Sequence, residues 1–167
     1  MEKSVYKTTD TELKELRSKQ YLEFESAVVE IHNPILLILQ CHLYIENLLE
    51  RFIIAELPNG KNLIDKGNLT FFQKIMVVNS FGIVDLQVID ALKKYNSLRN
   101  DLAHKYGHTI EKQQIESIGR TLGKIYSDIE VKAQTCLVRE IHLITAYITG
   151  CIGSYTHIAE SRKKSNS

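Results

Sequence analysis

Apolar residues recur at steps of three and four along most of this chain, and alternation of the strand type never persists beyond a few residues. Leu13, Leu16, Tyr21, Phe24, Val28 and Ile31 form a first stripe with charges between them, predicting a helix capped by Asp10 or Thr11 and running to about His32. Asn33-Pro34 predicts a stop and restart, because proline disfavours helix in the residue before it and suits a first turn. The next helix, about 34–57, is the most apolar. Ile38, Ile45, Leu49, Phe52 and Glu56 share one side, with Gln40, Asn47 and Arg51 opposite. Pro58-Asn59-Gly60 opens a loop expected to last until Asn68 or Thr70, followed by a short helix from Phe71 to about Phe81.

A further helix is expected from about Asp85 to Tyr106, stopped by Gly107. Val84, Val88, Ala91, Tyr95, Leu98, Leu102 and Tyr106 make its core stripe. From about Glu111 the pattern is helical again. Ile115, Ile118, Leu122, Ile125 and Ile129 form one stripe, weakened by Gly119 and Gly123. Leu137, Ile141, Ile144, Ile148, Ile152 and Tyr155 form another, and a break near Glu130 is left open. Gly150 and Gly153 fit close helix packing. The expectation is a single all-α domain over residues 10–160, with a flexible N-terminus at 1–9 and a solvated basic tail at 161–167.

Composition narrows the function classes. The formal charge of +1 gives no global field for a polyanion, so a nucleic-acid partner needs a local groove. The three cysteines, Cys41, Cys136 and Cys151, form no CxxC and are odd in number, which fits buried thiols in a reducing, cytoplasmic setting. The N-terminus has no apolar secretion core. The run from Pro34 to Ile45 is too short for a bilayer, so no membrane is expected. His104 and His108 lack the glutamate of an HExxH site, and there is no phosphate-binding glycine loop. No metal or cofactor is expected.

The chemistry concentrates in Leu98-Arg99-Asn100-Asp101-Leu102-Ala103-His104-Lys105-Tyr106. At about 100° per residue, Arg99 lies about 55° from the middle of the core stripe, while Asn100 and His104 fall about 155–165° away, beside Lys93 and Ser97. His104 is therefore either plain solvent-exposed decoration or part of a site that something else completes. Tyr106 lies on the apolar stripe, as a core tyrosine would. Glu46, on the preceding long helix, is either exposed at the rim or held by a cation from another helix.

Arg99-Asn100-Asp101-Leu102-Ala103-His104 resembles the RNxxxH form of the Rx4–6H motif of the HEPN superfamily, and Lys105-Tyr106 completes its Rx4HxY variant. The resemblance extends back through Leu43-Tyr44-Ile45-Glu46-Asn47-Leu48-Leu49 and Phe71-Phe72-Gln73-Lys74-Ile75, covering about residues 34–110. It implies an up-and-down bundle of four to five helices that pairs through the motif-bearing helix as a homodimer. It also implies metal-independent RNA cleavage by a toxin or phage-defence effector. Arg99 and His104 would be catalytic, Asn100 and Glu46 supporting. Tyr106 would be a modification site for a nucleotidyltransferase antitoxin partner. The same blocks resemble the mannitol-operon repressor family, which implies instead a non-catalytic regulator; a third alternative is a partner-binding subunit that keeps the HEPN fold without cleavage.

Overall fold

The computed structural model describes residues 9–28, 31–104 and 109–165, with His104 described in its backbone alone. Among the described residues there are eight α-helices and no strand. They are α1 Asp10–Ala27, α2 Pro34–Glu56, α3 Gly60–Gly67, α4 Phe71–Ser80, α5 Leu86–His104, α6 Lys112–Gly119, α7 Lys124–Ala133 and α8 Leu137–Ser165, with a single 3₁₀ turn at Arg120–Leu122 between α6 and α7.

Local chemistry sets the helix starts. Thr9, not Asp10 or Thr11, caps α1. Its hydroxyl accepts from Glu12 N, and the Glu12 carboxylate accepts from Thr9 N at 2.8 Å, which makes a reciprocal capping box. Asn33 Oδ1 accepts from Ile35 N and Leu36 N ahead of Pro34, so α2 restarts where expected. Helix α1 stops short of His32, because Val28 leaves helical geometry at φ −122° and is buried against the core.

Three sequence expectations are corrected. The stretch expected as a loop after Pro58 contains α3. Gly60 seats directly on the last turns of α2, where a Cβ would come 2.4 Å from the Ile53 carbonyl oxygen. Leu63 and Ile64 then pack on the core, a contact too short to announce itself as periodicity. The stripe through Ile125 is broken by the 3₁₀ turn and by Gly123 at φ 60°. Tyr126 becomes the buried residue and Ile125 is left on the surface. The expected tail is helical through Ser165, because Arg162 pairs with Glu56 at 2.6 Å and Lys163 Nζ donates to the Ile54 carbonyl at 2.7 Å. The helical break lies after Ala133, where Gln134 and Thr135 take positive φ. Cys41 and Cys151 are buried as expected, but Cys136 is exposed.

Helix α8 is the hub, packing on α1, α2, α5, α6 and α7. Arg51 and Glu56 near the end of α2 pair with Glu160 and Arg162 near the end of α8, while Tyr95 links Ile38 of α2 to Thr145 of α8. The two helices therefore run the same way. Helix α1 lies across α8, with Arg17 beside Gly150 and Gln20 beside Gly153, while Glu25 meets His142 and Glu23 lies 3.6 Å from His157. Helix α5 opposes α2 and α8, since Tyr95 meets Thr145 while Asp85, just ahead of the helix, lies within charge range of Tyr155.

Gly153 shows how tightly α1 sits on α8. A Cβ there would fall 2.2 Å from Gln20 Oε1, and Gln20 is fully buried and held by Tyr44 at 2.6 Å. Gly153→Ala is expected to lower stability by about 1–3 kcal/mol, the usual cost of overpacking. Urea unfolding would measure it. An unchanged midpoint would show that α1 can shift freely.

Candidate functional site

The motif helix presents two faces. Val88, Ile89, Ala91, Leu92, Tyr95 and Leu98 are buried, and Leu102 is half-buried as the helix leaves the core. Ile89 and Leu92 widen the stripe beyond the sequence reading. Asn100 and Ser97 are exposed on the opposite side. Arg99 is half-buried between the two faces, and its Nη1 donates to Asn100 Oδ1 at 3.3 Å. The His104 side chain and Lys105–His108, including Tyr106 and Gly107, lie outside the described residues.

Beneath Arg99 lies a group that the sequence reading missed. His42 of α2 is buried, its ring stacked on Phe71 of α4 with centroids 4.0 Å apart and planes 30° off parallel. Its Nδ1 is 4.0 Å from Glu46 Oε2, one turn along α2, and its Nε2 is buried without a hydrogen-bond partner. Burial pushes the His42 pKa down. Glu46 works against that shift, and Arg99 adds to it. Asn96 of α5 lies beside the ring and favours its charged form, without closing a hydrogen bond of good geometry. The balance leaves His42 as a neutral ring between two cations, Arg99 and Lys74.

Glu46 resolves in favour of the cation-held alternative, but the cation is Lys74. Its Nζ donates to Glu46 Oε1 and to Glu50 Oε1, both at 2.6 Å, from a side chain almost wholly buried on α4. Burial opposes the ammonium charge, and the two carboxylates outweigh it, so the Lys74 pKa lies above its ordinary value. The sequence did carry a signal here. Lys74 sits on the same α4 face as Phe71, Ile75 and Val78, and a lysine buried there requires a carboxylate. Glu46 and Glu50, four apart on α2, supply two.

Residues from α2, α4 and α5 thus converge in one cluster. Arg99 and Asn100 form the outer layer, His42 and Asn96 the layer below, and Glu46, Glu50 and Lys74 an ionic base. Chemically, the outer layer offers a guanidinium and an amide to an anion. No group of three or more metal-ligating side chains occurs among the described residues, and no described helix is long and apolar enough to cross a membrane.

The neutral state of His42 has a pH consequence. Its pKa is depressed on folding, so the unfolded chain binds the extra proton first as pH falls below about 6.5. Stability is therefore fully present above that value and declines between it and the lower folded pKa. His42→Gln is expected to unfold more easily at pH 8 but to lose less stability between pH 7 and 5. Parallel denaturation curves at the two pH values would check this. Equal acid sensitivity in both proteins would assign the effect elsewhere.

No family model, curated protein or solved structure matches the chain.

Proposed function

We propose that the chain is a HEPN-type, metal-independent endoribonuclease whose site is completed when two copies face each other across α5. The observation that carries this reading is the division of α5. The helix that bears the RNxxxH string buries one face and exposes Asn100 on the other, with Arg99 between them. An exposed polar face of this kind suits an isologous contact, in which each copy offers the same residues to the other. The run of α5 against α2 and α8 is also compatible with the up-and-down bundle that the resemblance implies.

In such a cleft, one His104 accepts the 2′-hydroxyl proton as the 2′-oxygen attacks phosphorus. The P–O5′ bond breaks, and a protonated His104 delivers its proton to the leaving 5′-oxygen. The products are a 2′,3′-cyclic phosphate and a 5′-hydroxyl. The unperturbed histidine pKa of about 6.5 suits both roles. Arg99 holds the phosphate and stabilises the charge that builds on it, and Asn100 orients a phosphate oxygen. Glu46, tied to Lys74, fixes α2 beneath Arg99 without contributing to the chemistry. Tyr106 would be the hydroxyl open to nucleotidylation by an antitoxin.

An RNA oligonucleotide and its 2′-deoxy counterpart, each incubated with the protein in excess EDTA, test the reading. Cleavage of RNA alone, leaving cyclic-phosphate ends, is expected. Cleavage of both strands, cleavage only with added metal, or no cleavage would contradict it.

The formal charge of +1 favours a second reading, because it gives RNA little long-range attraction. On that reading the protein is a non-catalytic regulator of the mannitol-operon repressor kind or a partner-binding HEPN subunit. Arg99, Asn100 and His104 would then be contact residues. His104→Ala would shift the monomer–dimer balance, and no RNA would be cut by either protein.

A further inference from the structure

His42 has no role in the cleavage chemistry proposed for α5, yet it sets a titratable ring beside the residue that would hold the phosphate. The ring is almost wholly buried and stacked on Phe71 with centroids 4.0 Å apart, so it cannot swing away. Its Nε2 is shut away from water without a partner. Its Nδ1 faces Glu46 Oε2 at 4.0 Å, while Oε1 of the same carboxylate accepts from Lys74 at 2.6 Å. A proton added to the ring therefore has a carboxylate oxygen to meet. Asn96 lies beside the ring, and Arg99 follows one turn later on α5, within charge range of it.

The charged groups that act on the ring come from the three helices around it. Lys74 of α4 and Arg99 of α5 oppose a charge on His42, and Glu46 of α2 favours one. The two cations differ in what can reach them. Lys74 is almost wholly buried and already matched by Glu46 and Glu50, so nothing from solution alters its charge. Arg99 is half-buried, donates to the neutral amide of exposed Asn100, and forms no ion pair among the described residues. An oxyanion can take this guanidinium from the solvent side. Its negative charge offsets the cation that Glu46 leaves unmatched, and the ring below then holds a proton more readily.

We infer that Arg99 and His42 form a proton-linked oxyanion site, in which a tetrahedral anion of the phosphate-ester class seats on Arg99 and draws a proton from solvent onto His42. The coupling is reciprocal, so protonation of His42 strengthens anion binding by the same factor. An RNA backbone would be held more tightly as the solution acidifies, apart from any proton transfer by His104. The inference rests on the reading of Arg99 as the phosphate-holding residue, but it needs neither a second copy nor cleavage.

Sulfate is the probe, because it stays a dianion from pH 5 to 8 and brings no titration of its own. Chloride holds the ionic strength constant. The first readout is the pH midpoint of the His42 ring carbon–proton NMR signal. Sulfate is expected to move that midpoint upward in the wild-type chain and in His104→Gln, and to leave it unmoved in Arg99→Gln. The second readout is sulfate affinity. In the His104→Gln chain it should be about fivefold or more tighter at pH 5 than at pH 8, the lower end of usual coupling between sites. Adding His42→Gln should bring that ratio close to one. A midpoint that sulfate does not move, an equal move in Arg99→Gln, or a ratio that His42→Gln leaves intact would overturn the inference. The midpoint needs no change at His42, so it decides the matter even if His42→Gln fails to fold. RNA is absent throughout, so a chain that shows the linkage but cuts no RNA refutes cleavage alone.

Discussion

Replacing His104 with alanine is expected to slow RNA cleavage by about 10²–10⁴-fold, the span that a positioned proton-transfer group contributes. Arg99→Ala should cost about 10²–10³-fold through lost stabilisation of the phosphorane-like charge. The two losses differ in their pH signatures. Wild-type activity should fall away on both sides of neutrality, since one His104 must be neutral and the other protonated. Arg99→Ala should keep that bell shape at a lower rate. Arg99→Lys should recover only part of the loss, because an ammonium keeps the charge but not the two-pronged geometry. Neither alanine variant should unfold the protein. Asn100 is the hydrogen-bond partner of Arg99 here, and removing the guanidinium takes a positive charge away from beside the neutral His42 ring. Cleavage rates with unfolding midpoints as controls would measure both effects. Variants that fold normally and cut as fast as wild type would remove Arg99 and His104 from the chemistry.

Lys74→Met is expected to carry the largest stability cost, about 2–3 kcal/mol. Removing one partner from a buried ionic cluster costs about 3–5 kcal/mol where the remaining charge is fully buried. Here Glu46 and Glu50 keep roughly a quarter to a third of their side-chain surface exposed, which lets water recover part of the loss. What remains is the repulsion of two carboxylates on successive turns of α2, previously drawn to a single ammonium. For a chain of this size the cost corresponds to a fall in melting temperature of about 5–10 °C. The triple change Lys74→Met, Glu46→Gln, Glu50→Gln should restore most of it, because no charge is then left without a partner. A Lys74→Met protein as stable as wild type would show that the ionic base does not hold α4 to α2.

The long amphipathic helices were legible because their stripes are long. Nineteen or more residues of period 3.6 in each of α2, α5 and α8 leave little choice of burial face, and Asn33-Pro34 marks its boundary by backbone chemistry alone. Helix α3 was not legible, since two apolar residues, Leu63 and Ile64, cannot establish a period. Its position depends on Gly60 fitting against Ile53, a tertiary contact. Ile125 was misassigned because the wheel assumes an unbroken helix, and Gly123 at φ 60° resets the phase.

The same contrast runs through the site. The motif string sits on one helix, so a wheel could separate Asn100 from the core stripe. His42 was passed over because its significance comes from Phe71 and Arg99, which reach it from α4 and α5. Glu46 was recognised as a residue in need of a cation, yet the choice among cations belongs to the packing of α4 on α2.

The proposed function requires two copies to meet across α5 and form one cleft, and a dilution series tests this most directly. Cleavage rate per chain and molecular mass would be measured on the same samples, from concentrations at which the protein is paired down to those at which it is single. The rate per chain is expected to fall in step with the dimer fraction and to vanish in the monomer. Full activity in the monomer, or a chain that is monomeric throughout and still cuts RNA, would contradict a composite site.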